Sequence, residues 1–311
     1  MAVFAGFDLG GTRLKCGLVD ERGGLLYKTQ EPTPATADGF FALVESMWAG
    51  LRQRAGEPIR AAGFGLPGIF DLASRRILES PHTGGLDGIE IEAVLERLLG
   101  VPVRADNDAN LAAFGEWRHG AGRGVANLIL LTIGTGIGAG IIADGKLLRG
   151  ARGYAGEVGH MSIRPDGEPC ACGGRGCLET EASARAIIRR YREAAGADGP
   201  LTAEEIQALA TAGDDKARMA IAESARCLGL GLGILINLLN PEKILLGGGV
   251  LGAGDDIIRP AAEEASRRSF KNAYKACRIE RAALANEAGI IGAAAWAAEP
   301  AAGIDSSRGN D

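Results

Sequence analysis

A strand, a glycine-rich turn and a second strand occur twice in this chain, 124 residues apart, and that duplication limits the fold more than any other feature. Val3 to Asp8 reads as a strand, Gly10-Gly11-Thr12 as a turn and Leu14 to Asp20 as a second strand; Arg22-Gly23-Gly24 and Leu25 to Tyr27 extend this into a β-meander. The second copy begins near Leu128. Displaced by 124 residues, Gly10 falls on Gly134, Thr12 on Gly136 and Asp20 on Asp144, so that Asp-Leu-Gly-Gly-Thr faces Thr-Ile-Gly-Thr-Gly. Two such hairpins predict two lobes of similar architecture, each bringing a tight glycine loop to a common cleft.

The remaining pattern is α/β. Helical apolar spacing runs over Asp38 to Arg54 and Ile89 to Leu99, and strands are predicted at Ala61 to Leu66 and Val101 to Ala105. Ser183 is placed to cap a helix over Ala184 to Ala195, followed by helices at Ala203 to Ala210 and Lys216 to Leu239, the last ended by Asn240-Pro241. Ile244 to Leu246 then enters Gly247-Gly248-Gly249, and Gly289 to Ala298 is an alanine-rich helix. The polar tail 300–311 reads as disordered. Gly229, Gly231 and Gly233 interrupt the long helix at about 1 kcal/mol each relative to alanine, so another helix or a flat nucleotide base must approach that backbone.

At 311 residues and 46% hydrophobic, the chain can bury a large core in about two domains. A formal charge of -5 with interspersed signs gives no basic footprint for nucleic acid or an anionic membrane. No stretch reads as about 18 uninterrupted apolar residues, and Asp8 breaks the short apolar N-terminus, which is unlike a signal peptide. Of six cysteines, Cys16, Cys227 and Cys277 stand alone and read as small core residues, a usage that fits a reducing cytoplasm.

The other three cysteines follow His160 at a telling spacing. His160, nine residues, Cys170-Ala-Cys172, four residues and Cys177 propose one tetrahedral zinc site of three thiolates and an imidazole, closed and structural. Glu157 and Glu179 flank it; held near one another by a metal, the two carboxylates could accept hydrogen bonds from vicinal hydroxyls.

Further candidates come from the turns. Backbone N–H groups of Gly10 and Gly11 and the hydroxyl of Thr12 can surround phosphate oxygens, with Asp8 serving a hydrated Mg²⁺. A Walker loop is excluded because no Gly-Lys-Ser/Thr opens a helix here, and Gly134, Gly136, Gly138 and Gly140 alternate within a hairpin, unlike a dinucleotide fingerprint. In Asp106-Asn107-Asp108-Ala109-Asn110 a strand meets a helix; an aspartate there either caps the helix or, favoured in ionised form by the helix dipole, acts as a base.

In order along the chain, Asp8-Leu-Gly-Gly-Thr12, Gly65-Leu-Pro-Gly68, Asn107-Asp-Ala-Asn110, Gly134-Thr-Gly-Ile-Gly138, Gly156-Glu-Val-Gly-His160 and Cys170-Ala-Cys-Gly-Gly-Arg-Gly-Cys177-Leu-Glu179 resemble the motifs of ROK-family sugar kinases, from about Val3 to Trp296. The resemblance implies an actin-like (ribonuclease H-like) two-lobed fold with an interlobe cleft and a structural zinc loop, generally homodimeric. Residues 1–119 would form the N-terminal lobe, completed by the helix 289–298, and 120–288 the C-terminal lobe.

The activity it implies is an ATP-dependent glucokinase acting on the 6-hydroxyl, with an N-acetylmannosamine or N-acetylglucosamine kinase as the enzymatic alternative. A sugar-sensing transcriptional regulator is the other, disfavoured because only seven residues precede Asp8. By the same resemblance Asp108 is the base; Gly68, Asn107, Asp108, Glu157, His160 and Glu179 meet sugar. Asp8, Gly10, Gly11, Thr12, Gly134, Thr135, Gly136, Gly138, Gly248 and Gly249 serve ATP with Mg²⁺, and His160, Cys170, Cys172 and Cys177 hold zinc. Three positions depart from the pattern: His82 where a sugar-contacting asparagine is frequent, Glu181 where an aromatic is common, and Arg13 in place of a lysine.

Overall fold

A computed structural model describes residues 1–79, 84–250 and 255–299, and its chain divides into two units, Met1–Arg118 with the stretch from Glu287 onward, and His119–Asn286. His82 and the polar tail from residue 300 lie outside the described residues.

The first unit is built on a five-stranded sheet of order β3-β2-β1-β4-β7, in which β1 (Val3–Leu9), β2 (Arg13–Asp20) and β3 (Leu25–Pro32) are antiparallel and β4 (Ile59–Leu66) and β7 (Val103–Asn107) run parallel to β1. β5 (Ile69–Asp71) and β6 (Arg76–Glu79) form a small separate ribbon. Strand β7 starts two residues later than the sequence suggests. Gly100, left-handed at φ 70°, ends the preceding helix, and Pro102 lends only its carbonyl to Ala62 before the ladder can begin.

Helix α1 (Ala37–Arg54) is capped by Thr36, whose side chain accepts from the Gly39 N–H, and buries Phe40, Val44, Met47, Trp48 and Leu51 on one stripe. Helix α2 (Ile91–Leu99) buries Ile91, Leu95 and Leu99. Between them and the sheet, Phe7 and Phe64 stack at 4.4 Å between centroids. Helix α3 (Asp108–His119) leaves β7 directly. The C-terminal helix α10 (Ala288–Ala298) lies against the sheet so closely that a Cβ on Gly63 would fall 1.8 Å from the Ala293 carbonyl oxygen, and one on Gly292 1.7 Å from that of Leu111 in α3.

The second unit repeats the plan. Its sheet runs β10-β9-β8-β11-β12, with β8 (Leu128–Ile133), β9 (Ile137–Ala143) and β10 (Lys146–Leu147) antiparallel and β11 (Lys243–Gly247) and β12 (Arg278–Arg281) parallel to β8. Pairing corrects the single displacement of 124 residues. Phe4 faces Val19 in the first hairpin and Leu128 faces Ile142 in the second, so the displacement is 124 before the turn and 123 after it. The second turn is one residue shorter, and Asp20 corresponds to Ala143 rather than Asp144.

Around this sheet pack α4 (Leu178–Ala182), α5 (Ala184–Ala195), α6 (Ala203–Thr211), α7 (Asp215–Leu239), α8 (Asp255–Arg268) and α9 (Lys271–Ala276). Neighbouring helices account for the glycines of α7. A Cβ on Gly229 would meet the Ala261 oxygen and Glu264 Cβ at 2.6 Å, one on Gly233 would meet Arg268 Cβ at 2.7 Å, and one on Gly231 would strike Leu178 at 2.8 Å. Helix α7 is also long and apolar enough to cross a membrane by length and composition, although Glu223 and Arg226 interrupt its apolar run; 67% of the most apolar stretch is buried within the described structure. Its apolarity answers to packing.

Candidate active site

In the first unit the glycine turn closes tightly. The Gly10 N–H donates to the Arg13 carbonyl at 2.9 Å, Thr33 Oγ1 donates to the Gly10 carbonyl at 2.7 Å, and Gly11 and Thr12 are exposed. Asp8, at the end of β1, packs against Gly289 in the first turn of α10 and receives Lys15 Nζ at 3.3 Å. Burial raises its carboxyl above the ordinary aspartate range, and Lys15 opposes that rise. Lys15 was invisible as a partner in sequence because it looked like one polar position of an alternating strand.

At the start of α3 the capping question resolves in favour of the asparagine. Asn107 Oδ1 accepts from the N–H groups of Ala109 at 2.9 Å and Asn110 at 3.2 Å, while its Nδ2 donates to the Gly68 carbonyl at 3.2 Å. Asp108 is therefore the first helical residue rather than the cap, and its Oδ1 accepts from the Ala109 N–H at 2.8 Å. Gly65 lies alongside; a Cβ there would be 3.3 Å from Asp108 Cα. Gly68, Asn107 and Asp108 thus form one cluster, although the asparagine amide assigned to sugar is already engaged within it.

In the second unit the loop Gly134 to Gly136 closes by a Gly134 N–H to Gly136 carbonyl bond of 2.9 Å. Glu179, in α4, sends Oε2 to the Ile137 N–H at 2.9 Å, and a Cβ on Gly136 would sit 2.1 Å from that oxygen. Gly248, at φ 98°, crosses the end of β8 where a Cβ would lie 2.3 Å from the Ile133 oxygen. The turn after β11 thus lies beside the residue that precedes Gly134. Thr135 is exposed and Gly138 pairs with Thr132 in the ladder, so Gly138 belongs to the strand rather than to the loop itself.

Four ligand atoms, one each from His160, Cys170, Cys172 and Cys177, lie within 4.8 Å of one another. His160 Nδ1 is 3.5 Å from Cys170 Sγ, and Cys172 Sγ is 3.7 Å from Cys177 Sγ. A zinc ion about 2.3 Å from each sulfur sets sulfur–sulfur edges of about 3.8 Å in a tetrahedron, whereas a disulfide would need about 2.05 Å. All the cysteines are free thiols, and the set is compatible with a structural zinc. Burial, then the neighbouring Cys172, pushes the Cys177 thiol up to about 12, while the Gly174 backbone N–H draws the Cys172 thiol down. A dication is what would let such crowded sulfurs ionise together.

The metal loop brings the flanking acids into one neighbourhood. His160 turns Nε2 toward Glu157 Oε2, 4.0 Å away, so the ring presents Nδ1 to the thiols and Nε2 to the acid. Burial raises the Glu157 carboxyl, His160 lowers it and the charge of Glu179 raises it again, which places both acids and the imidazole within electrostatic reach of each other.

A duplicated sheet of matching strand order, with a glycine turn in each copy and a Cys₃His loop in the second, defines an actin-like sugar-kinase fold. The ROK family model matches residues 4–300, and the chain belongs to the ROK family. It is 35% identical over 308 residues to a glucokinase of Halalkalibacterium halodurans, covering 93% of each chain. To a glucokinase of Streptomyces coelicolor it is 35% identical over 321 residues, covering 96% of this chain and 99% of the relative. The crystal structure of a ROK glucokinase from Streptomyces griseus in complex with glucose and AMPPNP superposes with a TM-score of 0.84 at 34% identity, covering 95% of this chain and 99% of that one.

Proposed function

We propose that the protein transfers the γ-phosphoryl group of ATP to the 6-hydroxyl of a hexose, with glucose the preferred acceptor. The observation that carries this reading is the position of Glu179: two residues after the last candidate metal ligand, its carboxylate holds the backbone beside the Gly134 turn. One helical turn so links an acid suited to sugar hydroxyls with a loop suited to phosphate. Similarity to glucokinases over nearly the whole chain supports the choice of sugar.

In this reading Asp108 accepts the proton of the attacking hydroxyl, and its place at the start of α3 favours the ionised carboxylate. Glu157 and Glu179 accept hydrogen bonds from sugar hydroxyls and His160 offers Nε2; Gly68 and Asn107 shape the pocket around Asp108. The turns at Gly10-Gly11-Thr12, Gly134-Thr135-Gly136 and Gly248-Gly249 present backbone N–H groups to the phosphates; a magnesium ion carried with the nucleotide, with Asp8 nearby to hold its water shell, would supply charge neutralisation there. Zinc, held by His160, Cys170, Cys172 and Cys177, supplies order to the loop rather than chemistry.

The test is a coupled ADP-release assay over glucose, mannose, fructose, N-acetylmannosamine and N-acetylglucosamine. Glucose is expected to give the highest kcat/KM. A preference for an N-acetylated sugar removes the glucose assignment, and the absence of sugar-dependent ADP with all five removes the kinase reading.

A further inference from the structure

Glu179 and Glu181 sit two apart on α4, and residues so spaced point to opposite sides of a helix. Glu179 reaches the Gly134 turn. Glu181, 2% exposed, reaches into the other side, where it meets groups from α5 and from the segment between His160 and Cys170. Its Oε2 accepts from Arg190 Nη2 at 2.6 Å and faces Arg164 Nη1 at 3.6 Å, and its Oε1 lies 3.4 Å from the Glu168 N–H. Arg190 also donates to the Glu181 carbonyl at 2.7 Å and to Ser224 Oγ in α7 at 2.6 Å. Arg164 pairs in addition with Glu223 of α7.

Helix α4 has five residues, too few to hold itself by propensity. Something outside it must fix its angle. The metal ligand Cys177 anchors only its N-terminal end, whereas Glu181 anchors its C-terminal half, tying it to α5 and the metal loop directly and to α7 through Arg190 and Arg164. A cleft of about 600 Å³ lies behind the loop, lined in part by Arg164, Glu168, Glu181, Arg189 and Arg190, so this contact bridges what would otherwise be open space.

We propose that Glu181 is a positioning residue: with Arg164 and Arg190 it forms a brace, independent of the metal, that sets the orientation of Glu179 and retains the Cys₃His loop. The proposal rests on the sugar-kinase reading for its kinetic consequence and not for its structural one. Removing the buried carboxylate strands the Arg190 guanidinium and leaves Arg164 held only by Glu223, so the turn must shift to rehydrate Arg190. The consequence is felt at Glu179.

The experiment compares wild type, E181A and E181Q for hexose KM, kcat and the rate at which zinc passes to a chromogenic chelator. E181A should raise hexose KM about tenfold with kcat within about twofold, the mark of lost ground-state binding, and should speed zinc release at least tenfold. E181Q keeps one acceptor oxygen, enough for Arg190 but not for the Glu168 N–H as well, and should recover part of both. A folded E181A with lowered thermal stability but unchanged KM and zinc release overturns the proposal, as does an E181Q no better than E181A. Should E181A fail to fold, R164Q, which cuts the loop's ion pairs with Glu181 and Glu223 and leaves the Arg190–Glu181 pair in place, must still speed zinc release; wild-type release overturns the brace. If the wild type phosphorylates no hexose, the kinase reading falls while the zinc-release comparison still decides the brace.

Discussion

Glu179 accepts the Ile137 backbone N–H at 2.9 Å, and Gly136 supplies the room for it, since any β-carbon at 136 would overlap the carboxylate. G136A should therefore displace Glu179 at a cost of roughly 1–3 kcal/mol, raising hexose KM about 5- to 150-fold. At Gly134 nothing lies within 4 Å of an added Cβ, so G134A should have the smaller effect. Steady-state kinetics on the pair check the assignment; equal losses would contradict it.

Neighbouring residues at the start of α3 should fail in different ways. N107A removes the side chain that caps the helix and ties Gly68, so it should cost about 1 kcal/mol and lower Tm by a few degrees. D108N keeps the fold and hexose binding but should lower kcat by about 10²–10⁴. Calorimetry and turnover measured on both variants separate cap from base; near-normal turnover in D108N would sink the base assignment.

Metal analysis should return about one zinc per chain, and removing it with a chelator should lower Tm and raise hexose KM while D108-dependent chemistry, measured at saturating sugar, falls less. C177S should mimic this, because that buried residue both completes the ligand set and precedes α4. Purified protein lacking zinc yet fully active would refute the structural role.

Glu223 gives a pH signature. Hydrogen bonds from Arg226, reinforced by Arg164, hold its carboxyl down at about 2 against an ordinary 4.5. A lowered carboxylate contributes stability that is fully present above the unfolded value and is lost as pH falls through the folded one. With the side chain 34% exposed, the contribution at neutral pH is about 1 kcal/mol once solvent screening is allowed for. Urea unfolding of wild type and E223Q should show a constant gap from pH 7 to 5 that closes between 4.5 and 2; a gap that widens in acid would refute the pairing.

Much of this was legible in sequence because it is local. The two hairpins, the Cys and His spacing and the helix over Lys216 to Leu239 are patterns of period and punctuation, and they lie where expected with small changes of boundary. What sequence hid depends on partners far along the chain. Helix α8 escaped because Pro260 and many charges mask its apolar stripe, and β12, Arg-Ile-Glu-Arg, looks like surface until it joins β11. Lys15 and Glu181 lie close in sequence to Asp8 and Arg190, yet only the strand pairing and the helix packing bring each pair together. Choosing Asn107 over Asp108 as cap needed hydrogen-bond geometry, since either residue type can do that work.

The return of α10 to the first sheet has a consequence for synthesis. Residues 119–286 form an uninterrupted stretch that contains its whole sheet, whereas the N-terminal strands need a cover encoded by the last helix. On the ribosome the half made second can finish first, while the opening half waits with the α10-facing side of β1 and β4 uncovered until α10 itself has been made. Such a nascent chain is one in which chaperones have most reason to hold the beginning rather than the end.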